Sequence, residues 1–233
     1  MKKPALDARL RAAAAYVRQD AVFADIGTDH AYLPLFLLAE GRIARAVLAD
    51  INEGPLARAK EHAATYPYLS KLSFHLTDGL CGLGGLGITD IAICGMGGEL
   101  IADILSAAPF VKAAHIRLIL QPMSRPAKLR AYLAAEGFEI LSETYVSAAG
   151  KHYACMHVAF GGAPYRLSAF EAEFGQYPDI SNTSFLSYLN GKERSLSLAV
   201  LGMESGGGAG AEQKTLLSEI KAFKQKHGLE AVK

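Results

Sequence analysis

The sequence predicts an α/β protein: a mostly parallel seven-stranded sheet with a terminal antiparallel hairpin, followed by a C-terminal α-helical hairpin. Three observations carry this. Val22–Pro34 is an apolar run that stops on an acid, passes through a glycine turn and enters an apolar helix start, the first unit of an open α/β sheet. Short apolar runs ending near Asp50, Asp78 and Gly95 repeat the pattern, with helical periodicity between them. Two further strand-like runs flank Gly150-Lys151, and beyond Gly161 the periodicity is purely helical.

Leu6, Leu10, Ala13, Ala14 and Val17 recur at helical spacing, so a leading helix spans 6–18. Strand one (22–26) and a helix over 31–40 follow. A second strand ends in Asp50, and Gly54-Pro55 opens a helix that reaches Tyr66-Pro67. Strand three is 72–76 and leads into Asp78-Gly79. The segment Gly82–Gly87 reads as a flexible loop; with no helix directly behind it, it is not a phosphate loop. Strand four, 90–94, enters Gly95-Met96-Gly97-Gly98 and a helix over 100–107. Strand five (115–122) ends on Gln121-Pro122, a helix spans 127–136, and strands six (139–147) and seven (152–160) form the hairpin. Gly161–Pro164 marks a boundary between an α/β domain, 1–162, and a helical domain, 163–233. The latter holds a short segment at 167–174, a helix at 183–203, a flexible turn at 205–210 and a last helix at 211–227. Phe185, Leu186, Leu189, Leu196, Val200 and Leu201 form the apolar stripe of the long helix.

A chain of 233 residues that is 51% hydrophobic supports a sizeable core, and a net charge of +1 excludes a polybasic nucleic-acid binder. Any RNA contact must come from local basic patches. Lys2, Lys3, Arg9, Arg11 and Arg18 make one such patch, open to two readings: an RNA-facing surface or a solvated helix face. Arg125, Lys128 and Arg130 make a second; Lys214, Lys221, Lys224 and Lys226 read as solvated. Cys81, Cys94 and Cys155 are widely spaced, which fits reduced thiols in a cytoplasmic protein and no metal site. No run approaches the roughly 18 apolar residues of a membrane span.

The chemistry concentrates at strand ends. Gly27 lets a ligand approach the backbone, while Asp25 and Asp29 place acceptors at the crevice mouth. One glycine and two aspartates do not make a pyrophosphate site, which argues against NAD. An ammonium or sulfonium ligand suits the acids, which points to S-adenosyl-L-methionine (AdoMet), leaving S-adenosyl-L-homocysteine as product. Asp50 sits where a carboxylate takes both ribose hydroxyls, or it caps the following helix. Asp78-Gly79 suits an adenine amine. Gly95, Met96 and Gly97 suit a backbone passing close to something flat, or only tight strand–helix packing.

Asp25–Pro34, Gly95–Gly98 with Leu100-Ile101, Leu120-Gln121-Pro122 and Gly150-Lys151-x-Tyr153 occur in this order. Together they resemble the TrmK family of bacterial tRNA (adenine-22-N1)-methyltransferases, over about residues 6–160. The resemblance implies a Rossmann-like class I methyltransferase fold, AdoMet as donor and the N1 of a D-loop adenine in tRNA as acceptor. Carried onto this chain, Asp25, Gly27, Thr28, Asp29 and His30 line the methionine end of AdoMet. Asp50 and Ile51 hold the ribose side, Asp78 and Gly79 the adenine, and Gly95, Met96 and Gly97 flank the methyl. Asp29, His30, Met96 and Gln121 are the expected catalytic set, and Arg9, Arg11, Arg125 and Lys128 the RNA contacts. The family usually has Asn after the Gln-Pro pair, where this chain has Met123. The alternatives are methylation of a small molecule or protein, and an inactive RNA-binding module of the same fold. A monomer or weak homodimer, with no membrane partner, is expected.

Overall fold

The computed structural model describes residues 3–206 and 210–229. The chain runs α1 (Ala8–Tyr16), β1 (Ala21–Ile26), α2 (Tyr32–Ala39), β2 (Ile43–Asp50), α3 (Glu53–Ala64), β3 (Leu72–Leu76), β4 (Asp90–Gly97), α4 (Gly98–Ser106), β5 (Arg117–Ser124) and α5 (Pro126–Ala135). Then come β6 (Phe138–Ala148), β7 (Lys151–Phe160), α6 (Ala169–Phe174), α7 (Thr183–Gly206) and α8 (Ala211–Lys226). The seven strands form one sheet in the order β3-β2-β1-β4-β5-β7-β6. β1, β2, β3, β4 and β5 are parallel where they pair, and β7 joins β5 and β6 antiparallel.

The period-2 geometry of strands divides the core. Ala24, Val47, Ile91, Ile93, Leu118 and Leu120 point to one face, packed under α4, α5 and the C-terminal helices. Phe23, Leu48, Ala92 and Ile119 point to the other, under α1, α2 and α3. Both faces are covered, so the central strands read as unbroken apolar runs. The first apolar mass continues into Phe174, Phe185, Leu189, Leu217 and Ile220, so α6, α7 and α8 share it with the sheet.

Several expectations change. The segment 82–87 is anchored: Leu83 is buried, and Gly82 and Gly87 take positive φ to bring it down. Strands four and five run on to Gly97 and Ser124, because a bulge at Gly95 keeps the pairing going past Cys94. Leu201 is exposed, off the stripe that buries Phe185, Leu189 and Leu196, since one residue is a 100° step on a helix. Cys81 is exposed whereas Cys155 is buried, its thiol pushed up to about 12 by burial. Lys224 is not a solvated residue: its ammonium bonds Glu193 (2.7 Å) and Asn190 (3.0 Å) across the α7–α8 pair. The turn at 205–210 begins inside α7 at Ser205-Gly206, and residues 207–209 lie outside the described residues.

Candidate active site

The carboxyl ends of β1, β2 and β4 open into one crevice with two lobes that share Gly27, Cys94 and Gly95. One lobe, about 330 Å³, is lined by Asp50, Ile51, Asp78, Gly79, Met96 and Leu100 among others. The second, about 350 Å³, is lined by Arg9, Asp25, Thr28, Asp29, His30 and Gln121 among others. Twelve of the thirteen residues assigned from the sequence to cofactor or catalysis line one lobe or the other, all but Gly97: the topology gathers them.

The β1 end carries the electrostatics. Asp25 is buried, and no basic side chain pairs with it among the described residues. Burial pushes its pKa up to about 6; the Thr28 hydroxyl pulls it back and the Asp50 charge pushes it further up. Asp50 accepts from the Asn52 backbone N–H (2.8 Å) on Oδ1. It therefore shapes the turn before α3 and does not cap it; Asn52 is the N-cap residue. Asp29, at the rim, is held by Arg58 of α3 (Nε–Oδ1 3.0 Å) and lies 3.4 Å from His30 Nε2. His30 in turn accepts from the His62 ring at its carbonyl, 2.7 Å. It is not the cap of α2: that place belongs to Ala31, held at φ 55°. Arg58 was not foreseen, since it belongs to no glycine or strand-end pattern, and Leu100, named only as part of the motif behind Gly95–Gly98, turns out to line the first lobe.

The β4 end sorts the glycine run residue by residue. Gly95 has φ +83° and open space where a side chain would stand, so it suits a ligand. Gly98 answers to packing, because a Cβ there would lie 2.5 Å from the Arg125 carbonyl oxygen. Gly97 faces Ser124 Oγ, 3.3 Å from where its Cβ would be, and lines neither lobe. Met96 lays its thioether over Gly27, where any side chain would collide with it. Gln121, 1% exposed, accepts from the Gly95 N–H (3.2 Å) and donates to the Pro122 carbonyl (3.0 Å). It therefore fixes the bulge, a positioning role. Cys94 stays a thiol, burial raising its pKa well above the ordinary value.

The basic residues part company. Arg9 faces the crevice, its Nη1 bonding Met123 Sδ (2.7 Å) and its guanidinium lying 5.5 Å from the Tyr153 ring centre. Arg125 and Lys128 are exposed on the neighbouring rim, Arg125 tied to Glu99. Arg11 bonds the Leu6 carbonyl and lines neither lobe. Arg18 lies at the opposite, amino-terminal end of the parallel strands, bound to the fully buried Asp90 (Nε–Oδ1 2.8 Å) at the start of β4 and to the His115 carbonyl, so it is structural. Arg130 is likewise buried, not on the rim. Lys3 pairs with Glu40, and Lys2 lies outside the described residues.

The residues present fit AdoMet. A buried carboxylate without a cation at the β1 end, a second acid at the β2 end and a glycine with open space beside it match a ligand with an ammonium, a ribose and a sulfonium. Fold and crevice together define a class I AdoMet-dependent methyltransferase. Residues 6–156 match the family model described as a methyltransferase domain. The tRNA (adenine(22)-N(1))-methyltransferase of Bacillus subtilis (strain 168) is 35% identical over 153 residues, which is 66% of this chain and 64% of that protein. The Streptococcus pneumoniae protein Sp1610, a putative tRNA (m1A22) methyltransferase solved with S-adenosyl-L-methionine, is 32% identical at a TM-score of 0.79, over 95% of this chain and 99% of that one. The B. subtilis m1A22 tRNA methyltransferase TrmK superposes at a TM-score of 0.76 with 26% identity, over 98% and 100% of the two chains. The chain belongs to the TrmK family of methyltransferases.

Among the described residues no helix is long and apolar enough to cross a membrane.

Proposed function

We propose that this protein transfers a methyl group from AdoMet to N1 of adenine 22 in the D-loop of tRNA. The observation that carries the reading is the buried Asp25, with no basic partner, in a crevice lobe that also holds Asp29 and Arg9, while Arg125 and Lys128 line the neighbouring cavity. AdoMet supplies an activated methyl on a sulfonium, open to in-line attack by a nitrogen lone pair. The chain has to hold the partners and exclude water, which accounts for most of the acceleration such a reaction needs. Asp25, with Thr28 beside it, would hold the ammonium, Asp50 and Ile51 the ribose side and Asp78-Gly79 the adenine end. The Gly95 bulge, set by Gln121, gives the methyl room. Asp29, oriented by Arg58 and flanked by His30, faces the positive charge that grows on the adenine ring. The adenine has to leave its stack to reach the crevice. Residues 1–162 carry this chemistry, and the helical unit is 163–233. The protein works in the cytoplasm as a monomer or weak homodimer.

Labelled methyl transfer to a tRNA with adenine at position 22, mapped by reverse-transcription stop against a matched tRNA with guanine there, tests the reading. A stop confined to the adenine tRNA supports it. tRNA binding with no transfer would favour the RNA-binding alternative and direct attention to Met123. Turnover on a small molecule without RNA would replace the substrate class.

Asp25 makes the cofactor step pH-dependent. Its carboxyl, raised to about 6, is charged above that pH and neutral below it. A cationic ligand favours the charged form, so AdoMet affinity is expected to fall as pH drops through about 6, and Asp25→Asn to flatten the profile. Calorimetric titration between pH 5 and pH 8 measures this; a wild-type affinity independent of pH would remove Asp25 from the ammonium site.

A further inference from the structure

We propose that a separate cavity beside the crevice seats a second nucleotide of the RNA strand, adjacent to the one that is methylated. This rests on the reading that tRNA is the substrate. The cavity measures about 510 Å³ and lies between the β5–α5 turn, the β6–β7 hairpin and α7. That volume is in the usual range of about 300–1,000 Å³ for small-molecule sites. It shares no lining residue with either lobe of the crevice.

Its chemistry is that of a nucleotide. The buried Tyr145 and Tyr153 and the half-buried Tyr188 give the wall an aromatic lining against which a base can lie. Arg125, Lys128, His152 and Lys192 supply positive or protonatable groups for a phosphate. One acceptor sits among them: Glu173, 8% exposed, takes the Tyr188 hydroxyl and the Lys192 ammonium (3.0 Å), both on Oε1. Oε2 has no partner among the described residues, so the site offers a carboxylate oxygen to an N–H donor. Guanine, whose imino N–H and amine set two donors side by side where uracil has one, suits that acceptor better than uracil.

The placement suits neighbouring nucleotides. Arg9 and Gln121 line the crevice, Met123 and Tyr153 line this cavity, and Arg9 bonds Met123 while lying over Tyr153. The wall between the two spaces is therefore one layer of side chains. A strand splayed across it would drop one base on each side, with its backbone over Arg9 and Arg125.

Binding of 5′-GMP and 5′-UMP to the full chain saturated with S-adenosyl-L-homocysteine tests this, together with the Kd for tRNA. GMP is expected to bind alongside the crevice ligand and more tightly than UMP. Glu173→Gln is expected to remove that preference. Should Glu173→Gln fail to fold, Lys192→Ala and His152→Ala are expected each to weaken GMP and tRNA by about fivefold or more, with the Kd for AdoMet unmoved. Displacement of GMP by S-adenosyl-L-homocysteine, or GMP binding indifferent to both the Lys192 and the His152 substitution, would overturn the proposal. GMP binding with an unaltered tRNA Kd would make it a site for free nucleotides and overturn the RNA assignment. An altered tRNA Kd in a protein that methylates no tRNA would leave the second site standing and sink only the activity.

Discussion

Asp29→Ala is expected to slow methyl transfer by about 100- to 1,000-fold, the usual cost of deleting one group aimed at charge that develops in a transition state. Alkylation at N1 turns a neutral ring into a cation, and Asp29 is the rim carboxylate oriented for it by Arg58 and His30. The substitution also frees the Arg58 guanidinium, which would then stand unpaired beside the growing positive charge. AdoMet affinity should change far less, because Asp25 and Asp50 remain. Single-turnover transfer at saturating AdoMet, with calorimetric Kd values, separates the two effects. Parallel losses in rate and affinity would reassign Asp29 to cofactor binding. Arg58→Ala should restore part of the rate in the Asp29→Ala background, since it removes the stranded cation.

Arg130→Leu is expected to lower stability by about 3–5 kcal/mol, the range for breaking a buried ion pair from one side. The guanidinium is fully buried and bonds Glu143 (2.8 and 3.0 Å), the Ala172 and Glu173 carbonyls (2.9 and 2.7 Å) and the Tyr145 hydroxyl (3.1 Å). Burial works against its charge, but Glu143 and Tyr145 outweigh that and raise its pKa. Without it Glu143 is stranded and two carbonyls lose their donor. For a chain of this length the midpoint of thermal unfolding should drop on the order of 10 °C. The double change Arg130→Leu with Glu143→Leu should recover much of the loss, because both charges are then gone. A single substitution that moved the midpoint by less than about 2 °C would show the network to be dispensable.

The parallel core and the terminal hairpin were legible because they rest on short apolar runs and on glycine turns, which are local signals; the strand order is not such a signal. So were Asp25, Asp50 and Gly95, each at the end of a strand, where topology alone places a ligand. Arg18, Arg130 and Lys224 were illegible for the opposite reason. Each looks like a free surface cation in sequence, and what ties it down is an acid 72, 13 or 31 residues away. Arg58 escaped notice likewise, since only the packed fold brings α3 against the turn after β1. The glycine run held two causes at once. Gly98 is explained by the Arg125 carbonyl pressing on it, and Gly95 by the space it leaves, a distinction that no spacing rule carries.

The apolar mass that runs unbroken from Ile91 and Leu118 into Phe185 and Leu189 has a mechanical meaning. A helical unit cemented to the sheet in this way cannot swing toward its target as a jointed arm does. The compliance in the encounter then belongs to the nucleic acid, which must yield at its own loop to bring one base into the crevice. Such a protein acts as a stiff mould, and substrates sort by how readily each deforms to fit it, as well as by the groups it touches.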